Sequence, residues 1–474
     1  MKKIDSGLHY PLDMNTLSKT WSVSYIGDVA IEIQPGFASG EHNQEGTGIP
    51  HVRPMNINRQ GNLDLSVVKY VSPDKDKKRL RAGDVLFNNT NSPELIGKTT
   101  VINKDIDWAF SNHMTRIVFP QEVSPKFVAY QLHFLWSMGY FLHKCVKHVN
   151  QASISSKTLG DSVPLILAPF NEQKLIVSEI EKQFSRLDEA VAALKRVRAS
   201  LKRYKASVLK AAVEGKLTEE WRKENSNVEP ADKLLERIKK ERSLRGAERQ
   251  SKLRGKEEIA SPLARNDNLP ELPKGWVWAT VGQLAIKVQY GSSAKTNENP
   301  SGVPVLRMGN ILENQLKLED LKYLPKSHSE FPDLFLEKED LLFNRTNSPE
   351  LVGKTAVYMG NPNPCSFASY LIRVQFNNGA SSHFVSSFIN SAYGRNWIKT
   401  VVSQQVGQAN VNGTKLQSLS VPLPSESEQQ KIVEEIESRL SVAEEIEETI
   451  NINLKRAEHL RQAILKKAFS GRLV

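Results

Sequence analysis

The sequence predicts a mixed α/β (α+β) protein with an internal pseudo-twofold repeat: two globular domains of one design, separated by two long antiparallel coiled-coil helices. Three observations carry this. Residues 87–99 read FNNTNSPELIGKT and residues 343–355 read FNRTNSPELVGKT, identical at 11 of 13 positions and offset by 256. Two stretches, beginning near residues 169 and 426, place apolar side chains every seven positions. The segments before them are mixed in pattern and punctuated by Gly, Pro, Asn and Ser, as short strands and loops require.

The same offset recurs along the chain, within two residues. Trp21 with Ile26-Gly27 matches Trp276 with Val281-Gly282, and Gly48-Ile49-Pro50 matches Gly302-Val303-Pro304. Gln151-Ala152 matches Gln408-Ala409, Ser162-Val163-Pro164-Leu165 matches Ser420-Val421-Pro422-Leu423, and Gly215-Lys216-Leu217 matches Gly471-Arg472-Leu473. A period this long excludes a solenoid and means two copies of a whole module.

The elements follow in order. Residues 1–168 form the first globular domain; its most apolar stretch, Phe127 to Leu142, is shorter than the ~20 residues of a membrane span and reads as a buried helix. Residues 169–217 form the first long helix. Ile180, Leu187, Leu194, Leu201 and Val208 fall seven apart, with Ala190, Val197, Tyr204 and Ala211 three residues after four of them and Phe184 and Val191 widening the stripe. Residues 218–270 join the modules, with a helix over 231–250 and a charged, flexible linker over 243–268. Residues 271–425 repeat the globular domain and residues 426–474 the helix, where Ile436, Ala443, Ile450, Ala457 and Ile464 form the seam, helped by Ile446 and Leu460. About 42 residues at ~1.5 Å each make a helix roughly 60 Å long, which needs another long helix as partner. The obvious partner is its own repeat. Residues 195–210 are basic without an acid, whereas the second helix carries Glu434, Glu435, Glu437, Glu444, Glu445, Glu447 and Glu448, so unlike helices attract and like ones repel.

Composition narrows the function. With 64 Lys+Arg against 53 Asp+Glu the net charge is +11, which favours a polyanionic partner such as nucleic acid. Two cysteines, Cys145 and Cys365, exclude a disulfide scaffold and suit a reducing compartment. No apolar signal core follows Met1-Lys2-Lys3, so the expected location is cytoplasmic. Gly97-Lys98-Thr99 and Gly353-Lys354-Thr355 resemble the end of a phosphate-binding loop, but Ser92 and Ser348 stand where that loop needs its first Gly. Asn361-Pro362-Asn363-Pro364 lacks the aromatic of an amino-methyltransferase motif, and Asp74 with Asp76-Lys77 is too crowded for a nuclease centre. No His-Glu-x-x-His or Cys/His spacing suggests a metal. The expected protein binds and positions; it does not catalyse.

The alternation of two globular domains with two long helices, together with the 343–355 loop, Gln408-Ala409-Asn410-Val411-Asn412 and Val421-Pro422-Leu423-Pro424 leading to Glu428-Gln429-Gln430, resembles the specificity subunit of type I restriction–modification enzymes over nearly the whole chain. The first copy departs modestly, with Ser153-Ile154-Ser155 for Asn410-Val411-Asn412 and Asn89 for Arg345. The resemblance implies two target-recognition domains, each reading one half of a split double-stranded DNA site. It implies helices that space the halves and dock two modification (methyltransferase) subunits, joined by two restriction (motor/nuclease) subunits. S-adenosylmethionine, ATP and Mg2+ would belong to those partners and no cofactor to this chain. A protein-only scaffold of a DNA-modification complex is the alternative.

Candidate DNA contacts are short polar groups and cations. Arg345 leads, because arginine pairs bidentately with guanine or holds a phosphate, and its counterpart Asn89 suits adenine. Asn88, Thr90, Asn91 and Ser92, with Asn344, Thr346, Asn347 and Ser348, sit on the same turn-rich loop; they either read bases or make a tight turn common to both domains. Lys98, Lys354, Arg53, Arg307, Arg79, Arg81, Lys147, Arg395 and Lys399, with Lys77, Lys78, Lys144 and His148, are candidate phosphate contacts.

Overall fold

The computed structural model describes residues 10–39, 41–72, 79–149, 151–250, 271–312, 314–405 and 408–474, with the backbone alone at 15, 245–250, 404, 405 and 408. Most of the expected flexible linker and the Asp74–Lys78 segment, including Lys77 and Lys78, lie outside the described residues. The chain forms two compact units, Met1–Arg196 with Ile450–Val474, and Val197–Thr449. Each unit therefore takes part of both long helices.

In the first unit a four-stranded antiparallel sheet runs in the order Glu32–Pro35, Met114–Val118, Val85–Asn88, Thr99–Val101. All four residues of Val85–Asn88 are buried, which is why this strand reads as a continuous run rather than an alternation. A helix over Pro125–Ser137 covers the sheet, started by the Ser124 side chain accepting from the Phe127 N–H and by Pro125 in its first turn. A smaller sheet, Lys69–Val71, Ile49–Val52 and Ala109–Phe110, contains a parallel pair, and Ser22–Tyr25 pairs with Pro164–Leu167 to close the domain at the root of the helix.

The second unit repeats this frame. Its four-stranded sheet runs Ala285–Tyr290, Leu371–Phe376, Leu341–Asn344, Thr355–Val357, and Val277–Thr280 pairs with Ser420–Leu423. Helices over Ser382–Asn390 and Ala392–Val401 stand where the first copy has Pro125–Ser137 followed by a short 3-10 helix, Tyr140–His143. The helix over Ala231–Gln250 packs here through Ala231, Leu234, Leu235 and Ile238.

Both long helices are 44 residues, Phe170–Val213 and Glu426–Phe469. Each ends on a glycine with positive φ, Gly215 at 68° and Gly471 at 69°. The amides of Gly215 and Lys216 bond back to Ala212 and Ala211, and those of Gly471 and Arg472 to Ala468 and Lys467, which satisfies the last carbonyls in the Schellman manner. In the first unit Ile180 and Phe184 share a core with Ile464, Leu465 and Phe469 of the second helix, and Asp188 pairs with Arg461. In the second unit Val208, Leu209 and Ala212 pack with Ile432 and Ile436, and Lys205 meets Glu447 at 2.7 Å with Arg198 at 3.8 Å. Rising numbers on one helix meet falling numbers on the other, so the pairing is antiparallel and unlike charges meet across it.

The stripe itself needs two corrections. Ala190, Val197 and Tyr204 are exposed; the second inward row lies four residues on, at Phe184, Val191, Lys205 and Ala212. At ~100° per residue, positions three and four residues away flank the seam on opposite sides, about −60° and +40°, and the partner sits on the second. Leu460 and Ile446 likewise point outward, 51% and 41% exposed, whereas Ile450 and Ile464 are buried. Leu187, Leu194 and Leu201 are only partly covered.

Candidate nucleic-acid interface

The duplicated loop is built the same way twice. Val85–Asn88 and Leu341–Asn344 leave the main sheet and continue into two-residue strands, Thr90–Asn91 and Thr346–Asn347. These pair with Ala152–Ser153 and with Gln408–Asn410, so the loop forms one edge of a small three-stranded sheet whose middle strand is the Gln-Ala stretch and whose other edge is Val146–Lys147 or Ser403–Gln405. Asn91 Oδ1 accepts from the Ser92 N–H and Asn347 Oδ1 from the Ser348 N–H, each at 2.8 Å, which shapes the turn. Gly97 and Gly353 then bend the chain back at φ of 95° and 79°.

Several expected DNA contacts are turned inward. Asn88 and Asn344 are buried, and Asn88 Nδ2 donates to the Leu95 carbonyl at 3.0 Å. Asn89 is buried and spends its amide on the Asn112 carbonyl and on Thr115 Oγ1, so the adenine-reading role gives way to an internal one. Lys98 is buried with Nζ donating to the carbonyls of Pro54 and Ile57, and burial, then Arg59, lowers its pKa. Arg395 donates to the carbonyls of Val352 and Glu350, and desolvation lowers its pKa too; it pins the far end of the second loop. Asn88, Lys98 and Arg395 share a reason: each donates to carbonyls of a turn, or of a single-turn helix and its cap, which lie outside the regular helix and sheet ladders.

The remaining candidates stay at least partly open. Thr90, Asn91, Ser92, Thr346, Asn347, Ser348 and Lys354 are half-buried, with Thr346 Oγ1 accepting from Asn410 at 2.6 Å. Arg53 and Arg307 open equivalent single-turn helices, their backbone N–H groups held by Asn56 and Asn310, and Arg307 also donates to the Asp320 carbonyl. Arg79 pairs with Asp107 at 3.2 Å. Arg81, Lys147, His148 and Lys399 are exposed and Lys144 half-buried. Arg345 is half-buried, its guanidinium lying 4.7 Å from the Tyr290 ring centroid.

Sequence reasoning missed two groups. One is Tyr290, whose hydroxyl accepts from the Gly413 N–H at 2.7 Å while its ring supports Arg345. The only signal available was that Tyr290 stands where the first copy has Pro35. The other is His51, packed between Phe37 and His42 at ring distances of 5.2 and 5.5 Å. Burial and the neighbouring His42 push it down to about 4, so it is neutral near pH 7 and offers no charge to a phosphate. Among the described residues no group of three or more His, Cys, Asp or Glu is placed to hold a metal, and no helix is long and apolar enough to cross a membrane.

Two α/β domains of one frame, each with a polar loop at its rim, on a chain of net charge +11, are the arrangement of a protein that recognises a polyanion. Residues 18–202 and 273–456 each match the type I restriction modification DNA specificity domain, and the chain belongs to that family as a specificity subunit, the recognising rather than the catalytic component. It is 25% identical over 442 residues to the EcoKI specificity subunit of Escherichia coli K12, and 24% over 432 residues to the StySPI specificity subunit of Salmonella potsdam; each match covers 90% of this chain and 82% of the relative. A chain from a structure of a type I restriction–modification system undergoing assembly and conformational transition superposes with a TM-score of 0.65 at 17% identity, covering 98% of this chain and 100% of that one. The HsdS subunit of Thermoanaerobacter tengcongensis gives 0.52 at 16% identity, covering 99% and 100%. At these identities the superpositions speak for the fold.

Proposed function

We propose that this chain reads a bipartite, asymmetric double-stranded DNA site, one half per globular domain. The observation that supports it most is a common frame carrying different side chains at equivalent positions around the loop: a buried Asn89 against a half-buried Arg345, Ser153 against Asn410, Pro35 against Tyr290. Two readers on one frame bind two related but unequal half-sites. Tethering makes the second contact intramolecular, so two weak halves give one strong site. The long helices set the gap between the halves, which makes half-site spacing a geometric property of the protein.

In this reading the chain positions two modification subunits, which bind S-adenosylmethionine and methylate adenine. Two restriction subunits use ATP and Mg2+ for translocation and cleavage. The work takes place in the cytoplasm, and this chain supplies recognition alone.

The reading is tested by titrating the assembled modification complex with target DNA across salt. If six to ten phosphates are neutralised, affinity falls by roughly 10³–10⁵ between 50 and 200 mM salt. A scaffold that touches only proteins gives a complex whose DNA affinity is unchanged when this chain's exposed Arg81, Lys147 and Lys399 are replaced by alanine.

A further inference from the structure

The two copies permit a like-for-like comparison at one locus. In the first domain Asn89 follows the central strand; Pro35 and Thr115 face each other across the sheet. Asn89 Nδ2 donates to Thr115 Oγ1 at 2.8 Å and to the Asn112 carbonyl at 3.1 Å, and the side chain is closed off from solvent. The second domain keeps the backbone: the Asn89 amide bonds to His113 and its carbonyl accepts from Ile154, just as the Arg345 amide bonds to Tyr370 and its carbonyl accepts from Val411. All three side chains differ. Tyr290 faces Ile372 across the sheet, and Arg345 replaces Asn89.

The changes are chemically linked. Ile372 has no hydroxyl to accept a bond, so a short amide in Arg345's place would lose the partner that Thr115 gives Asn89. The longer arginine reaches past it and lies over Tyr290, which is 43% exposed. Tyr290 is fixed in turn by its hydroxyl, which accepts from the Gly413 N–H. Among the described residues the guanidinium makes a single long hydrogen bond, Nη1 to the Ser369 carbonyl at 3.5 Å. Its Nε is buried, but a planar fork seated over a ring with Nη2 and the second Nη1 hydrogen unspent is preorganised for two acceptors side by side. In DNA those are the N7 and O6 of guanine or two phosphate oxygens, and readout of one base is the use that needs a fixed plane.

We propose that Tyr290 is a positioning residue that aims Arg345 at the major-groove edge of a guanine in the second half-site, and that the first domain has no equivalent reader because Asn89 is consumed internally. This rests on the proposed reading of a bipartite site and adds one residue-level assignment to it.

The test uses the whole modification complex, with methylation of a DNA library randomised in both half-sites and a binding titration on the preferred site. Arg345→Ala relaxes discrimination at one G·C pair of the second half-site by roughly 5- to 150-fold and leaves the first half-site unchanged. Tyr290→Leu relaxes the same position to a lesser degree, and Tyr290→Phe, which keeps the ring, less again. The double variant Arg345→Asn with Ile372→Thr transplants the first domain's own pair, so it supplies a folded comparison, and it shows the same relaxation as Arg345→Ala. Loss of affinity with an unchanged motif assigns Arg345 to a phosphate and overturns the proposal, as does an unaltered motif in either Arg345→Ala or Tyr290→Leu. Failure of the wild-type complex to select any split motif overturns the underlying reading instead.

Discussion

Glu428→Ala is expected to destabilise the second unit by about 3–5 kcal/mol, the range for stripping one partner from a buried ion pair. Glu428 is 3% exposed and receives Trp276 Nε1 at 2.8 Å, Thr218 Oγ1 at 2.8 Å and Arg222 Nε at 2.9 Å. It joins the start of the second long helix, the entry of the second domain and the segment after the first long helix. Removing it leaves an arginine and two neutral donors facing an apolar core that includes Val208, Ala212 and Ile432. The first unit has the same joint in a lighter form, with Trp21 Nε1 donating to a half-buried Glu172 at 2.9 Å and, among the described residues, no arginine on that carboxylate. Glu172→Ala should therefore cost only about 0.5–1.5 kcal/mol. Hydrogen exchange of the intact chain separates the two, because it reports stability segment by segment. Faster exchange confined to residues 213–225, 272–284 and 426–440 is the expected result for Glu428→Ala; equal effects of the two substitutions would contradict the account.

Gly97→Ala should be nearly as damaging, at about 2–4 kcal/mol from backbone strain and overpacking together. Its φ of 95° disfavours any side chain, and the added Cβ would lie 2.2 Å from Cδ2 of Phe141. That ring cannot yield easily, since it is 1% exposed and packs edge-on against Phe87 at 5.0 Å. Gly353→Ala meets Ile398 in the same way. Gly46→Ala supplies the control: φ is 84° but none of the described residues lies within 4 Å of the added Cβ, so strain alone acts, at about 1 kcal/mol or slightly more. Thermal melting of the three variants checks the order, with Gly97→Ala and Gly353→Ala well below Gly46→Ala.

These two predictions mark what the sequence made legible. The duplication was readable because the framework is held by identities at one offset, and the structure shows those identities at work in the loop glycines, the Trp–Glu joints and the glycine helix ends. The long helices were readable because a seven-residue apolar repeat sustained along a whole segment is the mark of paired helices. Which flank of the seam faces inward was not, since that depends on where the partner helix sits. At the rim the sequence could name polar residues but not their direction. Asn89 and Arg345 occupy one backbone position, yet one is spent on Thr115 and the other rests on Tyr290, and only the cross-strand neighbours decide between them. Glu172-Gln173 and Glu428-Gln429 repeat at the offset of 256 and anchor both helix starts; Gln173 and Gln429 accept from the amides of Ser124 and Ser381. The duplicated dipeptide was visible, but its partners lie far off in sequence, 49 residues away in the first copy and 48 in the second.

The most direct test of the central claim is a genome-wide map of methylated adenines in cells with and without this gene. The account predicts that deletion removes one split motif, methylated once in each half, with unlike half-sites and a fixed gap. A methylome that keeps every motif after deletion, in cells where the modification subunit is expressed, would contradict it.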